Sequence, residues 1–374
     1  MLRVGNKLLS KGINGFSMVE LLEIDGSMGE GGGQVLRTAV ALSALLKKPI
    51  RVFNIRAKRS NPGLRPQHLA AVKAVANITG ARVEGLEVGS RQIFFNPGEI
   101  KSFDIELDVG TAGSISLVLQ AMMPVLAFSP KEVKMILKGG TDNPKAPPID
   151  YVKEVLLKNL SRTGYSADLK VERRGFYPRG GGIVRFESKP VEFLRPFNMT
   201  DFPSLKSVKI FVYSSKLPKH VAERIAGSAM SHIRSRLGIE PVVEYEIMSG
   251  SERNAPLDPG CGILIIGVLE NGFAFASSAL GEKGKPSEKV GSEAASEFIR
   301  QVEHKAPADK NLADQLVVYA ALADGVSSLR THELTLHTLT TIRLVELFLP
   351  VKFEVEGGIG SPGGYRVVGI GFKR

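Results

Sequence analysis

Gly29-Glu30-Gly31-Gly32-Gly33-Gln34, followed at once by Val35-Leu36-Arg37, is the stretch from which the fold can be read. Consecutive glycines leave backbone N–H groups uncovered and free to take unusual dihedral angles. Val35, Leu36, Ala39, Val40, Leu42 and Leu46 then recur at helical spacing. Val19–Ile24 upstream reads as a strand, so the chain offers a strand, a glycine loop and a helix in turn. A glycine loop feeding a helix N-terminus is a ready site for an anion such as phosphate. Glu30 within it repels a bare phosphate, so its natural companion is a divalent cation, Mg or Mn. Arg37, one turn into the helix, is placed to clamp a phosphate. The plainer alternative is a tight turn with a solvated Glu and Arg.

The unit then restarts. Ile50–Ile55 reads as a strand, a helix opens at Pro66 and closes near Gly80, and Arg82–Leu86, Gln92–Phe95 and Phe103–Val109 read as strands. Asp108-Val109-Gly110-Thr111-Ala112-Gly113-Ser114 leads into another apolar helix, followed by a strand at Val133–Lys138, a helix at Asp150–Leu160 and a strand at Ala167–Val171. This is an α/β chain of related units of roughly 70–90 residues, longer than solenoid periods. Prolines 190, 196 and 203 mark a crossing into a second module. It carries strands at Val208–Tyr213, Val242–Ile247, Ile263–Val268 and Phe273–Ser277 and a helix at His220–Leu237. Gly281–Pro286 leads back to helices at Ser287–Glu303, Ala308–Asp324 and Thr331–Leu349 and a closing strand at Tyr365–Phe372. The expected division is an extension at 1–17, with Met18 as an alternative start, a larger domain at 18–185 and 286–374, and a smaller inserted α/β domain at 186–285.

Composition narrows the partners. The chain has 374 residues, and 49 Lys and Arg against 38 Asp and Glu leave a net charge of +11. That favours a polyanion, nucleic acid before membrane. Cys261 is the single cysteine, which excludes an intrachain disulfide and a Cys-based zinc site and fits a reducing, cytoplasmic setting. The most apolar run, Ile115–Phe128, is broken by Gln120 and Pro124 and is too short to span a bilayer.

Several chemistries are absent. No glycine loop ends in Gly-Lys-Ser/Thr, no Gly-x-Ser-x-Gly elbow occurs, and no His-Glu-x-x-His is present. His332 and His337 are spaced wrongly for a shared helix face, which argues against a two-His metal site. Glu23-Ile24-Asp25-Gly26 holds Glu where a nucleotidyl-lysine ligase needs Lys. The segment from Arg56 to Arg65, with Lys58 and Arg59, is the best polyanion candidate, and its alternative is a solvated turn. His337, set among Leu and Thr, reads by itself as a hydrogen-bonded structural histidine, and Asp314-Gln315 as a helical polar pair.

Taken together, the segments resemble the RNA 3′-terminal phosphate cyclase family. That family's signature, Arg-Gly-x-x-Pro-x-Gly-Gly-Gly-x-Val, is met by Arg174-Gly175-Phe176-Tyr177-Pro178-Arg179-Gly180-Gly181-Gly182-Ile183-Val184. Asp25-Gly26 with the first glycine loop, Arg56-Ala57, Pro62-Gly63-Leu64, Gln67-His68-Leu69, Gly139–Pro144 and Leu312-Ala313-Asp314-Gln315 match in the same order.

The resemblance implies an enzyme that uses ATP to turn an RNA 3′-phosphate into a 2′,3′-cyclic phosphate, through a covalent His–AMP. It implies a fold resembling initiation-factor and enolpyruvyl-transferase modules with a smaller inserted domain. By matched position His337 is the nucleophile, which displaces the structural reading, and Glu30 helps hold the metal. Arg37, Arg56, Arg59, Gln67 and His68 bind phosphates or the RNA end, while Gln120, Pro147 and Asp314 line the nucleotide pocket. Two departures stand out: Asn311 occupies a position often aromatic or His in the family, and 332–336 differs from the expected small-residue run. The alternatives are a non-catalytic, cyclase-like RNA-binding scaffold of ribosome assembly and, on fold analogy alone, an enolpyruvyl transferase.

Overall fold

The computed structural model describes residues 3–4, 7–12, 15–101, 103–110 and 112–374, with side chains from Glu20 onward. Thr111 of the second expected loop, and residues 1–2, 5–6 and 13–14 of the expected extension, lie outside the described residues. Strands β1 (Arg3–Val4), β2 (Lys7–Gly12) and β3 (Gly15–Glu20) form an antiparallel sheet of their own, and Met18 pairs with Leu9 inside it. The single strand expected over Val19–Ile24 is therefore two. Its second half, β4 (Leu22–Asp25), pairs with a different sheet, so the chain changes partner at Leu21.

Three units of one topology follow. The first is β4, α1 (Gly33–Leu46), β5 (Ile50–Phe53), α2 (Pro66–Thr79), β6 (Arg82–Glu84) and β7 (Ile93–Asn96), with sheet order β4-β5-β7-β6. The second is β8 (Ile105–Asp108), α3 (Ile115–Leu126), β9 (Val133–Gly139), a helical run, β10 (Ser166–Arg173) and β11 (Gly182–Lys189). That helical run comprises α4 (Ile149–Tyr151), a π-helical turn (Val152–Leu156) and α5 (Leu157–Arg162). In each sheet the first two strands are parallel, and the last two form a hairpin whose later strand lies against the second.

The third unit opens with β12 (Asn198–Met199) and is then interrupted. The interruption carries β13 (Leu205–Ser215), α6 (Lys219–Leu237), β14 (Val242–Met248), β15 (Gly260–Leu269), β16 (Ala274–Leu280) and α7 (Ser287–Glu303). The unit resumes with α8 (Lys310–Gln315), α9 (Val317–Leu322), β17 (Val326–Thr331), α10 (Leu336–Phe348), β18 (Glu354–Glu356) and β19 (Gly363–Val368). The order β12-β17-β19-β18 repeats that of the first two sheets. β11 runs to Lys189, past residue 186, and α7 packs on α6, β15 and β16.

The helix expected over Thr331–Leu349 begins later, at Leu336, because Thr331 ends β17 and residues 332–335 turn the chain into the helix. Thr335 caps α10 by accepting from Thr338 N at 3.1 Å. The helix expected over Ala308–Asp324 breaks at Leu316 into α8 and α9. β11 was not expected at all, because its alternation of buried and half-buried residues begins inside the glycine-dense signature.

Helices of different units pack together: α1 on α3 and α10, and α2 on α3. α1 buries Val35, Leu36, Ala39, Val40, Ala41 and Leu42 and is covered nearly all round. The outer face of the second sheet is solvated, with pairs such as Lys138–Glu106 and Arg185–Glu172.

The inserted module is clamped by the signature segment. Arg174, with its side chain 3% exposed, donates to Asp150 at 2.7 Å and to Glu246 of β14 at 2.8 Å, and lies 3.4 Å from Asp142. Its guanidinium sits over the ring of Tyr213 on β13, 4.1 Å from the centroid. A Cβ on Gly175 would lie 2.3 Å from Gly139 O, so the motif demands glycine for close strand approach. Burial holds the Asp142 carboxyl above the ordinary carboxylate range, against the pull of Arg174.

Arg174→Ala leaves these carboxylates without their cation and is expected to cost about 3–5 kcal/mol of unfolding free energy. Asp142 is raised in the folded state, so its burden grows as pH rises through its folded pKa. The loss, read by urea denaturation, is therefore smaller at about pH 5 than at about pH 8.

Candidate active site

The glycine loop is a tight turn: Gly26 N donates to Phe53 O at 2.7 Å, and Gly29 and Gly31 have positive φ. It ends at Gly32, which caps α1 with no side-chain hydrogen bond, so the first amides of α1 are left for an anion. The basic loop after β5 is fastened to it. Lys58 Nζ donates to Gly29 O at 3.2 Å, and Arg59 pairs with Glu30 Oε2 at 3.0 Å.

His337, the second residue of α10, turns its Nε2 to the same Glu30 oxygen at 3.1 Å. Glu30, Asp314 and His337 line one cleft of about 530 Å³, with Lys145, Lys310, Asn311 and Glu333 also in its walls. Behind it, Gln34 Nε2 donates to Asp314 Oδ1 at 2.6 Å and to His337 O at 2.9 Å, and Thr341 Oγ1 donates to Asp314 Oδ1 at 2.6 Å.

Arg37 is buried and reaches Gln120 Oε1 at 3.2 Å, while its Nε has no partner. Burial lowers its pKa to about 10, partly offset by Asp314, so it stays charged at neutral pH. His68 is buried beside it. Burial, then Arg37, Arg56 and Arg65, lower the His68 pKa to about 3, so the ring is neutral. Its Nδ1 accepts from Arg65 N at 3.1 Å, which places the proton on Nε2. Nε2 points at the start of α1, where a Cβ on Gly33 would lie only 2.3 Å from it. The end of the glycine loop is thus met by a cation and a neutral N–H donor.

Arg56, Gln67 and Pro147 are not among the residues that line the cleft. Arg56 Nη1 donates to Asn61 O at 2.6 Å and to Gly63 O at 2.9 Å, shaping the basic loop. Gln67 is half-buried in the first turn of α2, and Pro147 lies two residues beyond Lys145 in the turn after β9. His332 is buried away from His337, with Nε2 3.0 Å from Glu297. Glu297, His332 and Glu333 have ligand spacing for a metal. Arg300 and Lys310 already pair with both carboxylates, however, and the group reads as an ion-pair network.

The family model for RNA 3′-terminal phosphate cyclase matches residues 28–355. This chain belongs to that family. An RNA 3′-terminal phosphate cyclase of Desulfurococcus amylolyticus is 49% identical over 357 residues, covering 95% of this chain and 100% of the relative. The cyclases of Korarchaeum cryptofilum and Pyrococcus furiosus are 45% and 43% identical, over 95% and 93% of this chain and 100% and 99% of their own lengths. A solved structure, the enolpyruvyl transferase NikO from Streptomyces tendae, aligns with 98% of this chain and 50% of its own, at 12% identity and a TM-score of 0.39.

Sequence reasoning assigned no role to Gln34, Thr341, Lys145, Lys310 or Glu333. Gln34 stood in the opening motif, but nothing in sequence shows that it faces α10. Thr341 read as one more Thr in a Thr-rich helix.

Gly33→Ala drives a methyl into His68 without touching its chemistry. Cyclase kcat/KM for a 3′-phosphorylated RNA is expected to fall at least about tenfold, roughly 1.4 kcal/mol, as read by steady-state kinetics.

Proposed function

We propose that this cyclase converts RNA 3′-phosphate ends into 2′,3′-cyclic phosphates at the expense of ATP, releasing AMP and pyrophosphate, with His337 as the nucleophile. The observation that carries the reading is the position of His337 Nε2, in the cleft and 3.1 Å from Glu30, beside the uncapped start of α1.

The sequence of bonds follows. His337 Nε2 attacks the α-phosphorus of ATP, forming a P–N bond and expelling pyrophosphate. A 3′-phosphate oxygen of the RNA attacks that phosphorus and takes the AMP, freeing the imidazole. The neighbouring 2′-hydroxyl then attacks the 3′-phosphorus, the cyclic phosphate closes and AMP leaves. Activation is needed because an unactivated phosphate oxygen is a poor leaving group.

The chain's own groups fit these demands. Arg37 and the neutral His68 N–H face the anion end of α1, and both suit phosphate oxygens. Arg59 and Arg56 lie on the adjoining basic loop, with Gln67 at the start of α2, and receive the RNA end. Gln120, Asp314 and Pro147 are assigned to the nucleotide.

Glu30 would hold a divalent cation, Mg or Mn, whose charge would offset that of the phosphates. One carboxylate suits a hard cation that keeps water and phosphate ligands. When bound, it supplies charge neutralisation at the phosphates. The interruption between β12 and α8 is the inserted domain of the catalytic body. We place the enzyme in the cytoplasm, a setting supported by the single free thiol of Cys261. No described helix is long and apolar enough to cross a membrane.

Incubation with ATP carrying a radioactive α-phosphate should give acid-labile label on the wild type and none on His337→Ala. No label on either protein would favour the cyclase-like RNA-binding scaffold. Glu30→Ala should lower labelling by about 10²-fold and flatten its dependence on Mg or Mn concentration, and full activity with unchanged metal dependence would remove Glu30 from the metal site.

A further inference from the structure

We propose that Gln34 and Thr341 are positioning residues for the nucleophile: Gln34 holds its main-chain carbonyl, and Thr341 braces Gln34 through the Asp314 carboxylate that both contact. The proposal rests on the reading of His337 as the nucleophile.

Proton counting fixes the arrangement. Thr341 Oγ1 has one proton and two acceptors in reach, Asp314 Oδ1 at 2.6 Å and His337 O at 3.2 Å. The shorter contact, to the carboxylate oxygen, takes it. Gln34 Nε2 has two protons, one for Asp314 Oδ1 at 2.6 Å and one for His337 O at 2.9 Å. Gln34 Nε2 also lies against Thr341 Oγ1, and because its two protons face three acceptors, that contact shares one of them and does not add a third hydrogen bond.

Gln34 and Thr341 are 5% and 3% exposed, so water does not compete freely for these bonds. Three elements meet at the lock: α1 of the first unit, and α8 and α10 of the third. The carbonyl being held belongs to the residue that bears the imidazole. Gln34 is also four residues from Glu30 and three from Arg37, so the lock refers the nucleophile to the segment that receives the phosphates. A nucleophile displaced by about 1 Å can lose of order 10²-fold in rate with binding intact.

The test compares single-turnover labelling of His337 from α-labelled ATP in the wild type, Thr341→Val, Thr341→Ser and Gln34→Met. Thr341→Val keeps shape and loses the hydroxyl. It is expected to lower the labelling rate about 10- to 100-fold while the half-saturating ATP concentration stays within about threefold. Thr341→Ser restores most of the rate. Gln34→Met reproduces the loss and serves if Thr341→Val fails to fold, as judged by thermal denaturation.

A folded Thr341→Val with wild-type labelling overturns the proposal. So does a rise in half-saturating ATP with an unchanged rate, or Thr341→Ser as impaired as Thr341→Val. If His337→Ala takes label like the wild type, the nucleophile assignment falls and the lock falls with it. If label depends on His337 but not on Thr341 or Gln34, the lock alone falls.

Discussion

Glu30 and His337 lie 307 positions apart, yet their side chains meet at 3.1 Å, and the site depends on that contact. Two packed helices bring it about. α1 and α10 lie against each other, and each starts beside the cleft, one after a glycine loop and the other after the Thr335 cap. A helix start presents free N–H groups and the positive end of the dipole, so two of them at one cleft favour an anionic occupant before any side chain is counted. The apolar burial that holds α1 against α3 and α10 is thus also what assembles the chemistry. A mutation deep in that packing would act on the site without touching it.

Burial separates the roles of the charged groups. Arg37 gives up some basicity on burial but remains a cation. His68, under the same burial and beside three arginines, cannot charge and is left as a plain N–H donor. The site therefore holds a fixed cation and a neutral donor at the end of the glycine loop, with the carboxylate of Glu30 at its mouth. Phosphate oxygens are served by the first two and repelled by the third, which is why a cation beside Glu30 is chemically consistent.

Much of this was legible in sequence, and the reason is local. Glycine loops, proline starts and helical spacing write themselves into short segments, so α1, α2 and α7 fell close to their expected bounds. What stayed hidden depended on partners far away. β11 was masked because its first residue is a motif glycine. β17 was masked because its end ran into a helix-like stretch of Thr and Leu. Gln34 and Thr341 matter only because α1 and α10 touch, and no spacing rule reports that. Arg56 shows the converse. Its charge marked it as a ligand-binding candidate, while its Nη1 is engaged by the carbonyls of Asn61 and Gly63.

The most recognisable segment of the chain, Arg174 to Val184, contributes no side chain to the lining of the cleft. Its conspicuousness has a mechanical origin. Gly175 must pass within van der Waals contact of Gly139, where no Cβ fits, and Arg174 must meet carboxylates from two modules at once. Few residue types satisfy such demands, so the segment tolerates little change. The catalysis proposed above asks less of sequence: one imidazole on α10 and one carboxylate in a turn, each among neighbours of ordinary composition. The turn after β9 links the two, since Thr141 exchanges hydrogen bonds with Gly175 while Lys145, a few residues on, lines the cleft. The clamp on the inserted module is therefore connected, through the turn after β9, with one wall of the cleft.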